Sequence, residues 1–197
     1  MKNITLIFGS GIHAESLNDP ALNKRLEKLG RKLIKTQPWK RASHVGGLQA
    51  DAPDLNDPVL QDFFKAVSDP LDRFVKHYEL DAKYSFNFQS LWFNLNRKGD
   101  YNIQHSHGNT DFAATYWIKV PPDSGDIVFV NPNQGRLLLP LTGNHKFKTF
   151  NILNSDQYTY KSKVMELCIF PAELQHYVMR NNNKQDRMSL SFNVGIV

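Results

Sequence analysis

The chain has 197 residues, a net charge of +5 and a single cysteine, which fits one domain with a substantial core and excludes an intrachain disulfide. Lys and Arg are scattered and densest between Lys24 and Lys40, the pattern of a solvated helix face and not of a nucleic-acid footprint. No apolar run approaches the ~20 residues that a bilayer span needs, so neither nucleic acid nor membrane is an expected partner.

In chain order, Met1 to Gly9 reads as a strand and is short for a signal peptide. Asn18-Asp19-Pro20 is a helix-start signal, followed by Leu22, Leu26, Leu29 and Leu33 at helical spacing up to Gln37-Pro38. Ser43 to Asp54, with Gly46-Gly47 and Pro53, lacks either period and reads as a loop, a lid or a plain turn. A second amphipathic helix follows Asp57-Pro58 through Leu60, Phe63, Phe64 and Val67, and Asp69-Pro70 restarts a helix through Leu71, Phe74, Val75 and Tyr78.

From about Lys83 the texture changes to short β-type runs: Gln89 to Asn96, Tyr101 to His107, Phe112 to Val120, Asp126 to Val130, Arg136 to Leu139, Val164 to Phe170, His176 to Met179 and Arg187 to Val197. Turn signals separate them, among them Arg97-Lys98-Gly99-Asp100, Pro121 to Gly125 and Asn181-Asn182-Asn183. A total of 13 Phe, 7 Tyr and 3 Trp suits half-buried pleated surfaces. The expected organisation is a single domain over 1–197 of α+β class, with a mainly helical part over 1–82 packed on one face of a jelly-roll core over 83–197. The lone Cys168, inside the apolar run Val164 to Phe170, reads as a buried structural thiol, consistent with a reduced, cytoplasmic protein.

Three elements carry chemistry. Side chains alternate across a strand, so His105 and His107 share a side, as do Arg187 and Ser189. Imidazoles of His105, His107 and His176 converging from two distant segments suit a borderline divalent metal, and Arg187 with the Ser189 hydroxyl suits a carboxylate held in a fork. His13, His44, His77 and His145 lack such company and read as structural or exposed. Trp92 and Trp117 read as core.

These residues also carry a resemblance. His105-Ser106-His107, the strand Phe112 to Pro121, Ser124 to Phe129 with Asn131-Pro132, and Phe170-Pro171 to His176 followed by Arg187-Met188-Ser189 resemble the iron(II)- and 2-oxoglutarate-dependent oxygenases. The likeness is specifically to a group from marine bacteria and phages with HxH in place of the usual HxD. Ser43 to Gln49 resembles a Gly-Gly segment upstream in that group. The resemblance implies a double-stranded β-helix with iron(II) at its open end, and hydroxylation of a small-molecule or peptide substrate with release of succinate and CO2.

Residue by residue, the resemblance makes His105 and His176 the metal histidines, and Arg187 and Ser189 the grip on the distal carboxylate of 2-oxoglutarate. His107 stands where a carboxylate normally sits. Either His105, His107 and His176 form a three-histidine site, whose undiminished double charge the dianionic co-substrate offsets, or Asp111 supplies the carboxylate. Asn94, Asn96 and Tyr116 lie on strands expected to flank the metal, where each either hydrogen-bonds 2-oxoglutarate, Asn94 and Tyr116 foremost, or satisfies a local backbone group. The alternative from another class is a cupin-like metal- or sugar-binding jelly roll without oxygenase activity.

Overall fold

In a computed structural model, which describes residues 9–38, 42–80, 83–133 and 147–197, the described strands form two antiparallel sheets. The larger, six-stranded sheet joins β1 (His13–Ser16), β9 (Glu166–Pro171), β6 (Phe112–Lys119), β11 (Arg187–Ile196), β4 (Phe86–Asn96) and β3 (Leu48–Asp51) in that spatial order. The smaller joins β2 (His44–Val45), β5 (Tyr101–His105), β10 (His176–Val178), β7 (Ile127–Val130) and β8 (Gln157–Tyr160). Two facing antiparallel sheets with helices on one outer face are the expected α+β jelly roll.

The alternation of the strands sorts the core into two layers. Leu91 and Phe93 of β4, Tyr116 and Ile118 of β6, and Met188, Leu190 and Phe192 of β11 pack outward against Leu22, Leu26, Phe63 and Leu71 of the helices. Ala113, Trp117, Cys168 and Phe170 point the other way and meet Ile127, Phe129 and Leu174 between the sheets.

Helix α1 (Pro20–Thr36) starts as the sequence signals, with the Asp19 side chain accepting from the Leu22 N–H at 2.9 Å and Pro at the first turn. Its Gly30 sits so close to the sheet that a Cβ there would collide with Met188 Cε and Phe93 Cδ1. Helix α2 (Pro58–Val75) is capped in the same way by Asp57. It runs unbroken through Pro70, so the expected restart is one continuous helix. Burial of Val67, Pro70, Leu71 and Phe74 along one face outweighs the backbone hydrogen bond that proline removes.

Ser43 to Asp54 is not the irregular loop the sequence suggests. It holds β2, paired to β5, and β3, paired to β4, so Gly46-Gly47 is the corner where the chain passes between sheets. Gly46 has φ +77 and its carbonyl accepts from Arg97 Nη2 at 2.9 Å, which makes the corner a pinned turn. The strands β1 and β8 lack a clear apolar alternation and were not expected. The expected strand over Arg136–Leu139, His145, and all of Met1–Gly9 but its last residue lie outside the described residues. No helix among the described residues is long and apolar enough to cross a membrane.

Candidate metal centre and anion pocket

Pairing of β10 with β5 sets His176 directly opposite His105. His107 follows two residues later, past the end of β5, and its N–H donates to the Ala172 carbonyl at 2.8 Å. The three rings converge: centroids lie 4.4 Å apart for His105 and His176, and 5.3 Å apart for each pair that includes His107. One ligand atom from each comes within 4.8 Å of the others. This is the one such cluster of His, Cys, Asp and Glu among the described residues.

Local bonds prepare two of the rings. His105 Nδ1 lies 2.7 Å from the Ile103 carbonyl and His176 Nδ1 lies 2.9 Å from that of Leu174. A carbonyl can only accept, so each Nδ1 carries the proton and each Nε2 keeps a lone pair for a metal. Burial pushes His107 down to about 4 and His176 down to about 3, helped by the neighbouring His105, and burial lowers His105 as well. All three imidazoles are neutral at pH 7, the state in which they ligate. The Trp92 indole stacks on His107 at 5.6 Å, and Phe170 packs edge-on to His176 at 4.7 Å, so aromatic rings flank two of the three imidazoles.

Across the cleft, Arg187 and Ser189 at the start of β11 face the histidines and line the same pocket. Arg187 is 2% exposed, and its Nε finds no acceptor among the described residues. Burial pushes the guanidinium down to about 10, against an opposing pull from Asp126, so it stays charged at neutral pH. A buried cation without an anion on it is costly, and a carboxylate ligand would relieve that cost. Three neutral nitrogens beside this cation fit a divalent metal with a carboxylate co-substrate.

Other expected residues fall differently. Asn94 lines the cleft, with Nδ2 on Ser191 Oγ at 3.2 Å and a buried Oδ1 that finds no donor among the described residues. Asn96 is committed locally, its Nδ2 donating to Asn102 Oδ1 at 3.2 Å. Tyr116 is a correction: alternation along β6 turns it to the helix side, fully buried against Phe63 with ring centroids 5.4 Å apart, so its hydroxyl does not reach the cleft. Asp111 is another, since its Oδ2 accepts from the Ile196 N–H at 2.7 Å and it does not join the histidine cluster.

His13 bonds Glu15, and His77 is exposed. Cys168 is wholly buried, with burial raising its thiol out of the reactive range. Trp117 is core as expected, whereas Trp92 lines the cleft. Thr115 and Ser191, which also line it, were missed. Counting by two from Ser189 would have found Ser191; Thr115 needed the register between β6 and β11.

Comparison with known proteins agrees with this geometry. Residues 90–193 match the family described as "Putative 2OG-Fe(II) oxygenase". No curated protein matches the chain. Among solved structures, a Pseudomonas putida prolyl-4-hydroxylase is similar at 14% identity, with 93% of this chain and 92% of that one covered and a TM-score of 0.62. A viral collagen prolyl hydroxylase from Paramecium Bursaria Chlorella virus-1, in complex with 2OG, aligns at 13% identity over 93% and 94% of the two chains, with a TM-score of 0.58. HygX from Streptomyces hygroscopicus, with nickel, 2-oxoglutarate and hygromycin B bound, aligns at 11% identity over 94% and 83%, with a TM-score of 0.63. At these identities the structures speak for the fold, and the family match speaks for the chemistry.

Proposed function

The chain belongs to the 2OG-Fe(II) oxygenase family, and on that premise we propose that His105, His107 and His176 hold its iron(II) while Arg187 and Ser189 grip the far carboxylate of 2-oxoglutarate. The protein is a 2-oxoglutarate-dependent oxygenase, with iron(II) and 2-oxoglutarate as its cofactors. Bound together they supply the oxidative chemistry, in which dioxygen is consumed, 2-oxoglutarate is converted to succinate and CO2, and a substrate C–H bond is hydroxylated. The observation that carries the residue assignment is one cleft holding three converging neutral imidazoles and, facing them, a buried guanidinium with an unpartnered Nε.

The residues of the chain prepare that chemistry. The Nδ1–H bonds of His105 and His176 fix tautomer and ring orientation. Arg187 offers a planar fork that turns binding of the co-substrate into a fixed orientation. Trp92, Phe170 and Ile127 wall the cleft against water. With three neutral ligands a bound divalent metal would keep its full double charge, which the dianionic co-substrate would offset, with Arg187 adding a further attraction for its far carboxylate.

A small molecule or a peptide is the substrate class we favour. The solved neighbours support both, since two are named prolyl hydroxylases and one holds hygromycin B. The lone buried cysteine and the use of iron(II) fit a reducing, cytoplasmic setting. The family match removes the motive for the cupin-like alternative. The test is a titration of 2-oxoglutarate into the anaerobic iron(II) protein, followed by its metal-to-ligand absorption band. A saturable band at one equivalent is expected; iron binding with no response to 2-oxoglutarate would overturn the assignment.

A further inference from the structure

Trp92 borders a second cavity besides the cleft of the histidines. This one holds about 420 Å³ and is lined by Gln49, Asp51, Gln89 and Ser90 together with Trp92, which is the residue the two cavities share. Directly paired residues lie on one face of a sheet. Gln49, opposite Asn94, and Asp51, opposite Trp92, therefore extend the inner face of the larger sheet out to its edge strand β3. Ser90 follows the same face two residues from Trp92 and pairs with Asn193 of β11. Val194 then pairs with Phe88, so Gln89 is passed over, and such a bulge re-aims the side chain it carries. Gly195 leaves room for that side chain, since a Cβ there would stand 2.8 Å from Gln89 Nε2.

The chemistry of this lining selects an occupant. Asp51, Gln89 and Ser90 are exposed, and Gln49 and Trp92 half-buried, so each has surface to offer an incoming molecule. Two amides and a hydroxyl both donate and accept, as a ligand hydroxyl does. A carboxylate has about four lone-pair sites, so Asp51 can take a hydroxyl proton whatever else it holds. Neither Lys nor Arg is among the described residues of the lining, and a carboxylate repels anions, so an acidic occupant is disfavoured. Trp92 adds a broad apolar ring beside these polar groups. A sugar ring matches the set, with C–H bonds on its faces and hydroxyls around its rim, and the volume is that of a small-molecule pocket.

We propose that this second cavity selects the substrate, and that its occupant is an uncharged, hydroxyl-rich ring, a sugar or a molecule bearing one, held against Trp92 with its hydroxyls on Gln49, Asp51, Gln89 and Ser90. Trp92 also stacks on His107, so a molecule resting on it lies beside the proposed metal ligands. The substrate role rests on the histidine cleft being the oxygenase site; the binding of sugar does not need iron. The test is saturation-transfer NMR and calorimetry with maltose, lactose and trehalose, with their phosphate esters, and with an alanine tetrapeptide. Each is titrated into the metal-free protein and into the anaerobic protein loaded with iron(II) and 2-oxoglutarate.

At least one neutral disaccharide should bind both forms saturably, and its phosphate ester about tenfold more weakly. Gln89→Ala and Asp51→Asn should each weaken the sugar about fivefold, and Trp92→Leu about tenfold or more. Gln89→Ala, on the exposed bulge, should melt as the wild type does and titrate 2-oxoglutarate unchanged, which keeps the test sound if Trp92→Leu folds poorly. Binding of no disaccharide, saturable binding of the tetrapeptide alone, phosphate esters as tight as their sugars, or sugar affinities unchanged in the variants would overturn the proposal. The two levels separate cleanly. A normal 2-oxoglutarate band in a protein that binds no sugar ends the sugar assignment alone, whereas sugar binding with no response to 2-oxoglutarate ends the reading of the histidine cleft and the substrate role with it.

Discussion

His176 and His105 are cross-strand partners in β10 and β5, and each anchors its Nδ1–H on the carbonyl two residues earlier in its own chain segment, Leu174 and Ile103. The same local device acts from both strands, so ring orientation is set by backbone and not by a third side chain. Removing either ring should leave the sheets standing and the metal unheld.

His176→Ala should therefore abolish stoichiometric iron(II) binding while far-ultraviolet circular dichroism stays that of the native protein. Full iron occupancy in the variant, read by metal analysis after gel filtration, would exclude His176 from the ligand set.

The third ligand is tested by a pair of variants. His107→Ala should lose most metal affinity. Asp111→Ala should keep it and lose only the bond to the Ile196 N–H, a stability cost of about 1 kcal/mol visible as a small fall in Tm. The reverse ranking in a metal titration would move the carboxylate to the metal.

Arg187→Ala should leave iron binding intact and weaken 2-oxoglutarate by roughly 30-fold or more, since losing a buried charged pair costs about 2–5 kcal/mol. Arg187→Lys should recover only part, because a point charge cannot reproduce a two-pronged fork. Equal affinities in wild type and Arg187→Ala, measured anaerobically, would remove the guanidinium from the site.

Protonation gives a further check. In the folded, metal-free protein His176 is held at about 3, against 6.5 for an unstrained histidine. Below pH 6.5 the unfolded chain takes up a proton that the folded one refuses, so stability present above pH 6.5 is lost as pH falls towards the folded value. Roughly 2 kcal/mol from His176 alone should be gone by pH 5. Thermal melts of chelator-treated protein should show a steep fall from pH 7 to 5, and His176→Leu a shallower one; matching slopes would show that His176 is not held neutral by burial.

The chemistry of this chain was more legible in its sequence than the edges of its fold. The shared face of Arg187 and Ser189 was legible because a two-residue spacing on a strand fixes the face, whatever the strand pairs with, whereas the approach of His107, past the end of β5, to His105 and His176 depends on how the chain turns after the strand. Tyr116 was misplaced because choosing between it and Thr115 requires the register of β6 against β11, which no local pattern in the chain encodes. Edge strands escaped for a related reason. His13–Ser16 and Gln157–Tyr160 have little or nothing buried along them, so they lack the alternation by which a strand announces itself. The Gly46-Gly47 corner was ambiguous because glycine marks a bend without saying what the bend joins.

Three of the four edge strands among the described residues come from the first 82 residues: β1 and β3 close opposite sides of the larger sheet, and β2 one side of the smaller. A truncated chain beginning at residue 83 would keep every proposed ligand and the guanidinium, yet would leave β9 and β4 with uncovered backbone along their outer sides. Bare strand edges invite pairing with other chains. Such a fragment is expected to be recovered as self-associated material, so residues 1–82 act for the rest of the chain as a built-in guard against aggregation.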